Sequence, residues 1–368
     1  MLRWTWPPSW SWTCLPRPSR PGSSTASPKA EPINPRAPWS EAEITDLVGR
    51  AHAGQTRAVA RLITSVEEGS AANRQIAVEL APFSGRAHVI GLTGPPGVGK
   101  STSTSALVGR LRAAGRRVGV LAVDPSSPYS KGALLGDRIR MAEHACDDGV
   151  FIRSMASRGQ LGGLSAAVPQ AVRVLDAAGC DVVLIETVGV GQNEFEIASL
   201  ADTVVLLLAP GMGDGVQAAK AGIVEVGDIF VVNKADRDGA DQVVRDLRTM
   251  QSLGGRHSAA GAWRPPIVTT IASRGEGVDD LVTALDKHRE WLTRTGTLAT
   301  RRSTRAAAEI ESITLGTLQR SLAEVRRSPA IIQAAQAVAQ GAADPYSAAE
   351  AMLRLVLADP AVSPRQPA

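Results

Sequence analysis

The chain is predicted to be an α/β protein with a doubly wound, mostly parallel sheet and helical extensions at both ends. Three observations carry this. Short apolar runs of strand length alternate with stretches of helical spacing between residues 88 and 294, as parallel strands with crossover helices require. After Arg294 the strand-like runs stop, and Ala306 to Leu357 is rich in Ala and Leu at helical spacing. The first apolar run also feeds a glycine-rich turn that opens the next helical stretch.

Residues 1–39 carry five of the seven tryptophans (Trp4, Trp6, Trp10, Trp12 and Trp39) and nine of the 23 prolines, with no periodicity. They read as a disordered or spurious N-terminal extension. Prolines interrupt both the apolar stretch of a secretory signal and the amphipathic helix of a mitochondrial transit peptide, although the Arg-rich, acid-poor character keeps an organellar signal as the alternative. Residues 40–86 form a helical N-terminal region: Ser40 with Glu41 and Glu43 makes an N-cap and first turn, and Ile44, Leu47, Val48 and Ala51 keep helical spacing. Residues 87–294 hold the predicted strands His88–Thr93, Val118–Asp124, Val182–Thr187, Thr203–Ala209, Ile229–Asn233 and Ile267–Ile271. Residues 295–368 are a C-terminal helical arm.

Composition narrows the function classes. With 368 residues, 44% hydrophobic and 21% charged, the chain suits one large core plus extensions, and no run approaches the roughly 18 apolar residues of a membrane span. The whole chain has a net charge of +4, and residues 1–40 alone (five Lys and Arg against Glu31) account for +4, so the remainder is neutral. Bulk charge therefore offers no nucleic-acid face. Cys14, Cys146 and Cys180 form no metal-ligand spacing, and they fit a reducing cytoplasm.

Gly94-Pro95-Pro96-Gly97-Val98-Gly99-Lys100-Ser101 matches G-x-x-x-x-G-K-[ST] between a strand and a helix. Such a loop turns its N–H groups around phosphates, with Gly94 to Thr102 as the nucleotide-binding residues, and the following helix presents its positive end to them. Lys100 supplies a mobile charge for the β- and γ-phosphates, and Ser101 a hydroxyl for Mg²⁺.

The base is read elsewhere. Asn233-Lys234-Ala235-Asp236 follows the strand IFVV and matches N-K-x-D. A carboxylate at Asp236 accepts two hydrogen bonds from guanine N1–H and its 2-amino group, which adenine cannot donate. Lys234 would lie along the base and Asn233 would brace the loop. Ala272 and Ser273, at the end of a later strand, are expected to offer backbone N–H groups to guanine O6.

Between these anchors lie Asp124, Asp137 and Glu186, with Gly189 three residues past Glu186 in the manner of D-x-x-G. A strand-end carboxylate beside a phosphate loop suits Mg²⁺, and the glycine amide suits sensing of the γ-phosphate. Asp124 also reads as a turn-forming Asp-Pro, and Asp137 as a helix-start acid. Gln192 is a candidate for orienting water, or a surface polar residue. Arg153, Arg158 and Gln160 suit switching or dimer contacts, or a structural salt bridge.

The blocks GLTGPPGVGKST, VLAVDPSSPYSKGALLGDRIRM, FIRSMASRGQLGGLS, DVVLIETVGVGQNE, LLLAPGMGDGVQAAKAGI and DIFVVNKAD resemble, in order, those of MeaB/ArgK-type P-loop GTPases over about residues 40 to 300. The resemblance implies GTP hydrolysis with GTP/GDP and Mg²⁺ as ligands, catalytic roles for Lys100, Glu186 and Gly189, and metal contacts from Ser101, Asp124, Asp137 and Glu186. It implies a homodimer formed through the arm, with Ile310, Ile313, Leu315 and Leu318 among the apolar positions. It also implies a role as chaperone of methylmalonyl-CoA mutase or a related cobalamin-dependent mutase, gating adenosylcobalamin loading and reactivation. Pro210 to Lys220 would be an extra switch loop, in which Gly215 stands where relatives usually carry an acidic residue.

Two alternatives remain. One is a transport-associated kinase or ATPase for basic amino acids, against which Asn233-Lys234-Ala235-Asp236 argues. The other is a metal-inserting GTPase, but His52, His88, His144, His257 and His288 are scattered rather than clustered. Neither a nucleic-acid nor a membrane partner is expected.

Overall fold

Seven strands form one sheet: β1 (His88–Thr93), β2 (Val118–Asp124), β3 (Val150–Ala156), β4 (Val182–Thr187), β5 (Thr203–Leu208), β6 (Ile229–Asn233) and β7 (Ile267–Thr270). The computed structural model describes residues 39–70, 72–124, 141–144, 146–156, 167–187, 193–211, 226–253 and 261–358. The expectation for the N-terminal extension falls, apart from Trp39, outside the described residues. All pairings are parallel, in the order β3-β2-β4-β1-β5-β6-β7. β1 thus lies at the centre, with β4 on one side and β5 on the other. The chain winds outward in both directions from it, and that reversal opens a crevice at the carboxyl ends of the strands.

The five inner strands, β2, β4, β1, β5 and β6, are buried on both faces, which explains their nearly unbroken apolar character. Side chains alternate between two cores. Val89, Leu121, Val123, Val183 and Ile185 face one, while Ile90, Leu92, Val118, Val120, Val182 and Leu184 face the other. The first is covered by α1 (Glu41–His52), α2 (Thr56–Glu68), α3 (Asn73–Leu80), α5 (Ala167–Ala177) and α6 (Asn193–Leu200). The second is covered by α4 (Lys100–Ala113) and α8 (Val278–Arg294). α7 (Ala240–Leu253) closes a smaller core over Phe230.

α1 begins where Ser40 closes a capping box. Its Oγ accepts from Glu43 N at 3.3 Å, and Glu43 Oε2 accepts from Ser40 N at 2.8 Å. Ile44, Leu47, Val48 and Ala51 are the buried face of this helix.

Beyond the sheet run α9 (Thr297–Arg327), α10 (Pro329–Ala339) and α11 (Pro345–Ala358). The root of α9 is fixed by three arginines. Arg302 and Arg305 pair with Asp202, and Arg301 chelates Asp228 at 2.8 and 2.9 Å. Burial alone would raise the Asp202 carboxyl, but the Arg302 hydrogen bond and the nearby Arg305 charge hold it below the usual range. Farther out, α9 to α11 expose Ile310, Ile313, Leu315, Leu322, Ile332, Leu353, Leu355 and Leu357.

β3 is not among the predicted strands. Arg153 interrupts its apolar run, and the strand lies at the sheet edge with most of its side chains only partly buried.

Candidate functional site

The glycine-rich loop spans the turn from β1 into α4 at the centre of the carboxyl edge. Two of its glycines are required by shape. Gly94 has φ +145°, and a Cβ there would overlap the Leu207 carbonyl. Gly99 has φ +95°, and a Cβ would come within 2.6 Å of Asn233 Nδ2. The loop can therefore pass close under β5 and β6 only with bare backbone. Gly97 and Pro96 lie exposed at its crest, whereas Val98 is buried beneath.

α4 starts at Lys100, so the unpaired N–H groups of its first turn open toward the loop and make a place for anionic oxygens. Thr102 is exposed in that first turn. Lys100 is buried, and its ammonium donates to Gly94 O at 2.6 Å and Pro95 O at 3.1 Å, within the curl of the loop. Ser101 Oγ donates to Glu186 Oε1 at 2.6 Å, and both residues are buried.

Glu186 sits at the end of β4, level with Leu92 of β1 and Ala122 of β2. Asp124 ends β2 two residues further on, so the backbone puts it at the same edge. The Asp124 side chain, Asp137 and Gly189 lie outside the described residues, as do Arg158, Gln160, Gln192 and most of the 210–220 loop, including Gly215. A buried hydroxyl and a carboxylate oxygen are hard donors of the kind Mg²⁺ takes, and they converge at the first turn of the phosphate-loop helix. Ser101 and Glu186 therefore fit such an ion.

The guanine-type motif approaches the same loop from β6. Asn233 Nδ2 donates to Val98 O at 2.8 Å, and its Oδ1 accepts from Thr270 Oγ1 at 3.2 Å and Ala272 N at 3.1 Å. One side chain thus joins the phosphate loop, β6 and the turn after β7. The Ala272 N–H, expected to face a base, is directed to Asn233 and helps hold the motif instead. Ser273 beside it is exposed.

Lys234 carries the sole positive φ (57°) of a non-glycine among the described residues, and its ammonium reaches Gly97 O at 2.6 Å. A left-handed residue outside glycine costs about 1 kcal/mol or more. Here that conformation sends Lys234 across the crest of the loop. Asp236 follows in the same turn, exposed, with Arg274 Nη2 at 3.8 Å from its Oδ2.

The motifs give no notice of Arg274, because its position follows from the turn after β7 and not from any spacing to Asp236. Arg153, left open on sequence grounds, bonds to Glu67 of α2 and donates to Thr64 Oγ1 at 3.1 Å. In this structure it ties the helical N-terminal region to the sheet edge.

Residues 59–326 match the family described as methylmalonyl Co-A mutase-associated GTPase MeaB. A Pyrococcus horikoshii protein named as a GTPase is 47% identical over 315 residues, covering 85% of this chain and 98% of its own. GTPase ArgK of Escherichia coli is 36% identical over 264 residues, 70% of this chain and 80% of its own. The mouse methylmalonic aciduria type A homolog, mitochondrial, is 39% identical over 218 residues, 58% of this chain and 52% of its own. A solved crystal structure of a LAO/AO transport system kinase superposes with a TM-score of 0.61 at 27% identity, spanning 87% of this chain and 99% of that one.

Proposed function

The chain belongs to the family of methylmalonyl-CoA mutase-associated GTPases, and from that premise we propose that it serves an adenosylcobalamin-dependent mutase as a nucleotide-driven chaperone. It is a GTPase of the P-loop class. In the proposed reading it gates cofactor loading and protects or reactivates the mutase, with methylmalonyl-CoA mutase as the favoured partner.

The observation that carries the nucleotide part is the Asn233 side chain, which bonds at once to the phosphate loop and to the turn after β7. These bonds tie the loop proposed to hold the phosphates to the turn that carries Asp236, which supports both parts acting on one nucleotide. Asp236 accepts from guanine, Lys234 lies along the base, and Gly94 to Thr102 with Lys100 surround the phosphates. Mg²⁺, when bound by Ser101 and Glu186 together with Asp124 and Asp137, neutralises charge on the β- and γ-phosphates. Gly189 is assigned to sensing the γ-phosphate.

Residues 40–86 are assigned as a helical preface, 87–294 as the GTPase domain and 295–368 as a dimerisation arm. The apolar side chains exposed along α9 to α11 support an arm that packs against a second copy. Among the described residues no helix is long and apolar enough to cross a membrane. The cytoplasm is the assigned compartment. The name of the mouse relative supports the mitochondrion as the alternative.

The kinase named in the superposed crystal structure supplies a second reading, a transport-associated phosphotransferase. Asp236, placed three residues past Asn233, favours a guanine nucleotide over ATP. Co-purification with candidate mutases in GDP and in a non-hydrolysable GTP analogue tests the chaperone reading. Association and mutase protection should depend on the nucleotide; a mutase that binds and survives identically in both would reject it.

A further inference from the structure

Among the described residues no hydrogen bond holds the Asp236 side chain, and the charged group facing it is Arg274, with Nη2 at 3.8 Å from Oδ2. A base-reading carboxylate must hold one orientation in order to accept from two donors of guanine in one plane. An aspartate in an exposed turn does not hold it unaided, and ordering it on binding costs affinity. We propose that Arg274 is a positioning residue for guanine recognition, fixing the Asp236 carboxylate from the side. The inference rests on Asp236 reading the base.

Three features of the turn support it. At 3.8 Å the guanidinium is within reach of Coulomb attraction but beyond hydrogen-bond length. It therefore orients the carboxylate without occupying the lone pairs that guanine needs. Arg274 is itself held from the other side by Glu276, Nη1 to Oε1 at 3.8 Å. Its backbone belongs to a short closed turn. Arg274 N donates to Ile271 O at 2.8 Å, Ile271 N donates to Glu276 O at 3.0 Å, and Ala272 N is bonded to Asn233. The arginine and the carboxylate thus hang from one frame.

The test compares GTP with inosine triphosphate, whose base lacks the 2-amino group and offers Asp236 one donor instead of two. In Arg274→Met, which keeps the apolar stem and removes the charge, GTP affinity should fall about three- to fivefold, the scale of an exposed ion pair. Inosine triphosphate should lose less, so the ratio between the two falls. Arg274→Lys should restore part of it, and high salt should bring the wild-type ratio toward that of Arg274→Met. Equal weakening of both nucleotides, or no change in either, would overturn the proposal. Asp236→Asn is measured alongside. If it keeps its preference for GTP over ATP, the guanine reading itself fails. If it loses that preference while Arg274→Met keeps the GTP to inosine triphosphate ratio, the role of Arg274 alone fails.

Discussion

Asn233 Nδ2 donates to the Val98 carbonyl oxygen at 2.8 Å, across 135 positions of sequence. This bond ties the spacing between the glycine-rich loop and the turn after β6 to one buried side chain. Asn233→Ala would leave the Val98 carbonyl and the Ala272 N–H without their partner, at about 1 to 3 kcal/mol for each buried group. GTP affinity should fall at least tenfold, and the thermal midpoint by several degrees. Calorimetric titration and a melting curve read the two. Unaltered affinity would show that the loop holds its place without Asn233.

Lys100 is buried within the curl of its own loop, bonded to Gly94 and Pro95 carbonyls. Its charge is thereby aimed where β- and γ-phosphate oxygens would lie. Lys100→Ala should lower phosphate release from GTP by about a hundredfold or more, the scale of losing a placed charge against a developing anion. A folded variant with unchanged turnover would remove Lys100 from catalysis.

Glu186 meets Ser101 at 2.6 Å in a buried setting, and in the proposed reading the pair would hold Mg²⁺. Glu186→Gln keeps the shape and removes the charge. The Mg²⁺ concentration needed for half-maximal GTP turnover should rise about tenfold, while GDP affinity measured in chelator should change little. An unshifted Mg²⁺ titration would assign Glu186 to structure alone.

What was legible in the sequence is what is local. Gly94 to Ser101 and Asn233 to Asp236 each carry their chemistry in a contiguous run, and the apolar strands declare themselves because both sheet faces are covered. β3 escaped because an edge strand need not be apolar throughout, and Arg153 at its middle has Glu67 and Thr64 as partners from a helix more than 80 residues earlier. The clamps of Arg301, Arg302 and Arg305 on Asp202 and Asp228 span 73 to 103 positions. Such pairings leave no periodicity, and neither does the approach of Arg274 to Asp236.

The arm carries Ile310 and Ile313 exposed on one side of α9, with Leu353, Leu355 and Leu357 exposed on α11. Apolar surface of this extent is stabilised when a second copy covers it. Light scattering at micromolar concentration should give the mass of a dimer. Ile310→Glu with Ile313→Glu should give a monomer that still binds GTP. A monomeric wild-type protein would end the assignment of the arm.

The base of the sheet predicts a response to acid. His88 Nε2 lies 2.7 Å from Thr203 Oγ1, which lies 2.8 Å from His288 Nδ1, and both histidines are buried. Burial pushes His88 down to about 3, against the attraction of Asp202, and His288 down to about 4, against that of Asp228. In the unfolded chain both titrate near 6.5. Above that pH both states are neutral and the histidines leave stability unchanged. As pH falls below it the unfolded chain takes up protons that the folded protein refuses, so stability is lost progressively down to about 4 and 3. The slope approaches about 1.4 kcal/mol per pH unit for each histidine. Between pH 7 and 5 most carboxylates stay ionised, so this window reports mainly on histidine. Urea unfolding should show a lower midpoint at pH 5 than at pH 7, and His88→Asn should reduce the difference, leaving the share of His288. Equal midpoints at the two pH values would mean that the buried pair accepts protons in the folded state.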